Sequence, residues 1–363
     1  MPTNSSLIPF RTISQITKVY VLPEVESRIS SGIINSSQLP LNIKQFRLIQ
    51  TSSEFIVELN DEVKIEANIK VKRAINAGEL ITLADIYPEE CYIVPPTASG
   101  KPAPYFLFQS MFLTFFATFD FSPNLSDVSK KDLTVIKQKY PLVDFLNAKH
   151  LRDTIDPIEL FKLLASSNWP PTSGYYPNVL IWTHTNPDKI KDASFLEVVA
   201  GAYNHEYWNH QLRFWTEAQL FSRQMPYIQK SVSEYFEGDF VSAIYVLVPH
   251  FEGIVKDYIR ECGTTPNYRF KSCVKQLREI VLSRKILMFP PDILKLIFEY
   301  IEKGSFFTET SNVTDASEEV NRHGIAHGVF TGFETKKISL KYLILVDSLA
   351  LVLLHDKILR GVL

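Results

Sequence analysis

Apolar and polar positions alternate most clearly between residues 42 and 94. Phe55-Ile56-Val57-Glu58-Leu59 runs into Asn60-Asp61, and Val63 to Val71 then carries an apolar residue at every second position. A period of two marks a half-buried strand, and the Asn-Asp pair marks a turn, so the two runs are predicted to form a hairpin. Two later stretches are almost continuously apolar, Tyr105 to Phe121 and Leu340 to Leu354. Gln109, Ser110, Thr114, Thr118 and Asp120 interrupt the first, and Lys341, Asp347 and Ser348 the second. Neither offers the roughly 18–20 clean residues of a membrane span, so both are read as buried helices.

The spacing changes from two to between three and four further along. Val128 to Lys149, Asp156 to Ser167 and Asp192 to Arg213 read as helices or mixed elements, with Asn168 to Pro177 as a loop. One helix is predicted from Phe214 to Phe236, stopping at Gly238-Asp239. A second runs from Asp239, a good N-cap, to Cys262 and stops at Gly263. Its residues Phe240, Ile244, Leu247, Val248, Phe251, Ile254, Val255 and Tyr258 make one wide apolar stripe. A third helix covers Arg269 to Lys285, and Pro290-Pro291 opens a fourth that ends near Gly304. The last helical material, Ser317 to Arg360, is predicted to break around Gly328 to Gly332.

These elements predict an α+β chain: a mixed N-terminal region with a β-leaning segment, then an all-α antiparallel helical bundle. The 363 residues exceed what one core usually serves, and three regions are expected: 1–100, 101–213 and 214–363. The Pro-rich stretch Tyr92 to Pro104 suggests the first boundary. Composition changes this picture little. Hydrophobic residues at 45% and charged residues at 21% suit a globular protein with a large core. Cys91, Cys262 and Cys273 form no CxxC pair, which argues against a zinc ribbon or a disulfide framework and favours a reducing, cytoplasmic setting. No secretory signal is visible in the first residues. A formal net charge of −2 argues against a large non-specific nucleic-acid surface, though not against a small charged site.

Candidate chemistry concentrates in Asn321-Arg322-His323-Gly324-Ile325-Ala326-His327-Gly328. On a helix His323 and His327 fall within roughly 40° of each other, while Arg322 lies roughly 140° from His327 and reaches around with its long side chain. Asp315 and Glu318 offer a capping-box-like start upstream, which would put the motif at the positive end of a helix. An imidazole that titrates near neutrality and a permanently charged guanidinium suit cleavage of RNA. The 2′-hydroxyl needs a base, and the phosphorane gathers negative charge. No metal or cofactor is required, and no carboxylate cluster near the motif would hold two magnesium ions.

Arg322 to His327, with the trailing Gly328, resembles the Arg-polar-His pattern of HEPN ribonucleases, the superfamily named for nucleotide binding in higher eukaryotes and prokaryotes. Tyr235 to Ile244 and Pro249 to Ile254 look like the early helices of bacterial members, where a Gly-Asp turn leads into an amphipathic helix bearing a Glu. The resemblance covers about 140 residues from Phe214 on. It implies a homodimer whose two motifs face one cleft, RNA as substrate, and 2′,3′-cyclic phosphate ends. It implies phosphate binding by Arg322, proton transfer by His327 and, for His323, orientation of the phosphate or a share in the proton transfer. Glu252 would support the site by pairing with Arg322, with Asn321 beside it. Phage defence or toxin activity, with gating by the N-terminal region and a protein partner or antitoxin, follows by analogy. A shorter segment, Lys70 to Ile86, looks like the β-clip signature of SAF-type domains, and no function is carried over from it.

Each candidate has a plainer reading. Arg322 and His327 could be a salt bridge and a satisfied histidine at the end of a bundle, His323 a solvent-facing neighbour, and Glu252 a structural ion-pair partner. His205 and His210 are five apart rather than four, the wrong spacing for a zinc-protease helix. His250 and His355 are placed on helix faces without a role. Competing with the ribonuclease is a non-catalytic HEPN module for dimerisation or nucleotide binding, acting as a sensor or interaction protein. The sequence offers no membrane partner.

Overall fold

The computed structural model describes residues 27–28, 31, 45–50, 55–94, 97–98, 101–102, 105–111, 114–120, 141–172, 177–283, 291–303 and 333–360. The chain is of the α+β class: short antiparallel strands lie in its N-terminal part, and its C-terminal part is helical. It divides into two compact units, residues 1–38 with 42–156, and residues 39–41 with 157–363.

In the first unit, strands β1 (Gln45–Gln50), β2 (Phe55–Leu59), β3 (Glu66–Asn68), β4 (Tyr92–Val94), β5 (Thr97–Ala98), β6 (Lys101–Pro102), β7 (Tyr105–Met111) and β8 (Thr114–Asp120) precede helix α1 (Leu142–Thr154). A four-stranded antiparallel sheet has the order β2-β1-β7-β8, and β3 pairs with β4 in a separate ribbon. Two expectations for this unit need correcting. The Phe55–Leu59 run does not form a hairpin with the alternating run after it. It pairs with β1, Phe46 opposite Leu59, while Glu66–Asn68 pairs with β4. The reason lies at the turn: Asn60 adopts a left-handed backbone (φ 51°), residues 60–62 form a 3₁₀ turn, and the Glu62 carboxylate accepts the Leu59 N–H at 3.1 Å. The chain therefore leaves the sheet instead of folding back.

The second correction is the Tyr105–Phe121 stretch. It forms β7 and β8, with Leu107 opposite Phe119 and a bulge at Gln109/Ser110, rather than a helix. A mostly apolar run with scattered polar residues shows no clean period of two, and this one is rich in aromatic residues and threonine, which favour strands. Ile49, Val63, Ile86, Cys91, Ile93, Leu142 and Phe145 form a core in this unit. From it an arm extends between Val71 and Ile86, whose backbones bridge. Gly78 (φ 82°) makes the turn at the far end of the arm. Arg73 ties the arm together, meeting Glu79 at 2.6 Å and Asp85 at 2.7 Å.

The second unit holds α2 (Pro157–Ser166), α3 (Pro177–Thr185), α4 (Ala193–Ala202), α5 (His205–Glu217), α6 (Met225–Glu237), α7 (Phe240–Glu261), α8 (Phe270–Leu282), α9 (Pro291–Lys303) and α10 (Lys336–Leu359). The single helix expected from Phe214 to Phe236 is two. Gln219 (φ 50°) and Phe221 (φ 60°) turn the chain between α5 and α6. Pro226 lacks the N–H that a helix interior needs and so sits in the first turn of α6. Gly238 (φ 83°) ends α6 in a left-handed cap, and Asp239 starts α7 by accepting the Ser242 N–H at 2.9 Å. The two helices form a tight hairpin.

Helix α7 packs against α6, α8 and α10. Its stripe of Ile244, Leu247, Val248, Phe251, Ile254, Val255 and Tyr258 is buried as its spacing predicts. Helix α10 is different: residues 338–350 are buried on every face. Its length and apolar character would suffice to cross a membrane, but 94% of the apolar window lies inside the protein, so it is the unit's central helix.

Candidate functional site

Asn321, Arg322, His323 and His327 lie outside the described residues, as does the whole 304–332 connection between α9 and α10. The elements on either side of that connection are described. Phe333, just after it, is buried and packs edge-on against Tyr245 of α7, with ring centroids 5.6 Å apart. Lys336 pairs with Glu197 at 3.4 Å.

Glu252 sits on α7 beside the buried Phe251, at the margin of the apolar stripe. Its carboxylate meets Lys256, one turn on, at 2.6 Å, and Lys256 also donates to the Tyr268 carbonyl at 3.3 Å. Among the described residues, Lys256 is one partner of Glu252. The pairing with Arg322 expected from sequence involves a residue outside the described set. His205 is stacked edge-on against Phe236, and burial holds the pKa of His210 below its usual value. Among the described residues no cluster of His, Cys, Asp or Glu has the make-up of a metal site.

Sequence reasoning missed one constellation on the α6–α7 hairpin. The Gln224 amide nitrogen donates to Asp257 Oδ2 at 2.8 Å, and its carbonyl oxygen lies 2.7 Å from His250 Nδ1. Tyr227 lies flat on the His250 ring, centroids 3.5 Å apart and planes 13° off parallel. Arg260 and Arg223 both reach Asp257 Oδ1, at 2.7 Å and 3.4 Å. Gly253 makes room for this arrangement, since a Cβ there would stand 2.8 Å from the Gln224 amide nitrogen.

The chain of partners fixes a tautomer. An ionised carboxylate only accepts, so Gln224 must turn its NH₂ toward Asp257 and its oxygen toward His250. His250 Nδ1 must then carry the proton, which leaves Nε2 as a bare lone pair whenever the ring is neutral. Partial burial pushes the His250 pKa below its usual value, which favours the neutral ring. Nε2 has no hydrogen-bond partner among the described residues and is not sealed from solvent. A trace of this was legible: His250, Gly253 and Asp257 are spaced three and four apart on one helix, but Gln224 comes from the turn before α6.

Helix α10 carries polar groups that are buried and structural. The Asp347 carboxylate accepts from Thr172 at 3.2 Å and Tyr203 at 3.5 Å. Burial pushes its pKa up to about 6, with those hydrogen bonds opposing the rise. Asp356 accepts from Tyr258 and from Arg360, both at 2.9 Å, and burial lowers the pKa of His355 beside it to about 4.

In comparisons with known proteins, no family model, no curated protein and no solved structure matches this chain.

Proposed function

We propose that the helical unit is a metal-independent endoribonuclease of the HEPN type. One observation carries the reading: Arg322, His323 and His327 stand at the family's spacing, late in a unit whose α6–α7 hairpin turns on Gly238-Asp239 and carries Glu252. That order of elements matches what the resemblance leads one to expect, and it supports the reading beyond the short motif alone.

In this scheme His327 takes the proton of a ribose 2′-hydroxyl, and the 2′ oxygen attacks the adjacent phosphorus. The P–O5′ bond breaks as the 5′ oxygen takes a proton back from the His327 imidazolium, and a 2′,3′-cyclic phosphate remains. Arg322 neutralises the charge that collects on the phosphorane, and His323 orients the phosphate or shares the proton transfer. A homodimer with two motifs in one cleft, and a role in phage defence or as a toxin gated by the N-terminal unit, belong to the same proposal by analogy.

The test is cleavage of single-stranded RNA in EDTA by the full chain and by His327→Ala. The expected outcome is loss of at least about a hundredfold in rate, the usual scale for a general base, with 2′,3′-cyclic ends in the parent digest and an unchanged oligomeric state. Equal cleavage by the variant refutes the assignment. A parent that never cuts yet binds nucleotides points to the non-catalytic module.

A further inference from the structure

We infer that the cluster of Tyr227, His250, Gln224, Asp257, Arg223 and Arg260 is a contact site for single-stranded RNA on the outside of the α6–α7 hairpin. This deepens the ribonuclease reading, on which the choice of RNA as ligand rests. The cluster itself stands on geometry.

Three features point to a nucleotide. Tyr227 remains 45% exposed although one face lies on His250, so an aromatic platform is held in a fixed orientation at the surface. Base stacking on such a ring needs no particular base. Two guanidiniums converge on the single carboxylate of Asp257, which leaves one positive charge in excess. Arg223 is 78% exposed and holds Asp257 only at 3.4 Å, so it can turn to a phosphate at little cost. Finally, the Asp257–Gln224 relay keeps the His250 Nε2 lone pair in place as an acceptor. A ribose 2′-hydroxyl is a donor that RNA has and DNA lacks.

The relay also explains an otherwise costly choice. Gln224 is buried, and glycine in the middle of a helix is unfavourable. Gly253 leaves the space that the Gln224 amide fills. An alanine there would push the amide aside, release Nδ1 and let the proton move to Nε2.

The experiment measures binding of a short fluorescein-labelled single-stranded RNA, and of DNA of the same sequence, by fluorescence anisotropy. The full-length chain carries His327→Ala so that the probe survives. Tyr227→Ala should weaken RNA binding about tenfold, in line with the loss of one stacked base, and Tyr227→Phe should restore it. Arg223→Glu should weaken binding and flatten its salt dependence, whereas Lys295→Glu on α9 should leave both unchanged. Gly253→Ala should narrow the preference for RNA over DNA and move the His250 proton to Nε2, as read by imidazole nitrogen NMR shifts. Binding that is absent, or unchanged in Tyr227→Ala and Arg223→Glu, overturns the inference even if the parent cleaves RNA. Binding that depends on the cluster in a parent that never cleaves keeps the inference and removes the ribonuclease.

Discussion

The two units handle polarity in opposite ways. The helical unit draws ionisable groups inward: Asp347, Asp356, Lys341 and His355 all lie buried along α10. The first unit pushes apolar side chains outward: Leu80, Ile81 and Leu83 stand exposed on the arm between Val71 and Ile86. Both arrangements are held by hydrogen bonds and ion pairs, so neither is a failure of packing. In the helical unit Asp347 and Asp356 accept hydrogen bonds inside a core that hydrophobic burial has already made. In the arm, the Arg73 ties to Glu79 and Asp85 hold a shape with little core beneath it. The difference predicts that stability in the first case resides in side-chain volume and in the second in local geometry.

The largest expected effect tests the helical side. Phe251 is fully buried on α7 and meets Phe270 edge-on, centroids 6.0 Å apart. Phe251→Ala should lower stability by about 3–5 kcal/mol, since it combines lost burial with a cavity in a closely packed interior. Urea unfolding followed by the helical signal measures it. A loss below about 1 kcal/mol would mean that the α7 stripe is not the core of the unit.

An intermediate effect sharpens the contrast through pH. The Asp347 carboxyl titrates near 6 in the fold against an ordinary 3.8, so the folded state binds this proton more readily. Its contribution to stability is full below about 3.8 and is lost as pH rises through about 6. His355 works the other way: its folded value of about 4 against 6.5 gives a contribution that is full above 6.5 and lost as pH falls toward 4. Asp347→Asn removes only the first. Relative to the parent, the variant should gain on the order of 2 kcal/mol between pH 4 and pH 7. Denaturation midpoints of parent and variant that stay parallel across that range would show that Asp347 does not titrate in the fold.

How much of this was legible follows from the strength of local signals. Helix α7 could be read because a cap, an apolar stripe and a terminal glycine agree: Asp239, the run from Ile244 to Tyr258, and Gly263 (φ 75°). Strands β7 and β8 could not, since a mostly apolar run with only scattered polar residues looks the same in either conformation. Helix α3 escaped notice because it is short and follows a Pro- and Gly-rich loop. The break between α5 and α6 was hidden for another reason: its left-handed residues are Gln219 and Phe221, neither of which announces a turn. As for the site, the helix that carries Glu252 is legible from its stripe, whereas the ion pair with Lys256 one turn along is seen only in the fold. The His250 relay depends on Gln224 arriving from the turn before α6, and no spacing within one segment encodes that.

The smallest effect belongs to the arm. Leu80 is 83% exposed, so Leu80→Ser removes little buried area and should change stability by no more than about 0.5 kcal/mol. The arm's shape should persist because its ties do not involve Leu80. Asp85 accepts from the Thr82 hydroxyl at 2.7 Å and from its N–H at 2.9 Å, and Arg73 holds the same carboxylate. The Thr82 hydroxyl and then the Arg73 guanidinium keep the Asp85 carboxyl far below the usual carboxylate range, so this brace stays charged across ordinary pH. Urea unfolding of Leu80→Ser at several protein concentrations decides the matter. A loss above about 1 kcal/mol cannot come from a side chain left in water. If that loss grows with concentration, something covers Leu80 in solution, and the arm would then be stabilised by burial just as the helical unit is.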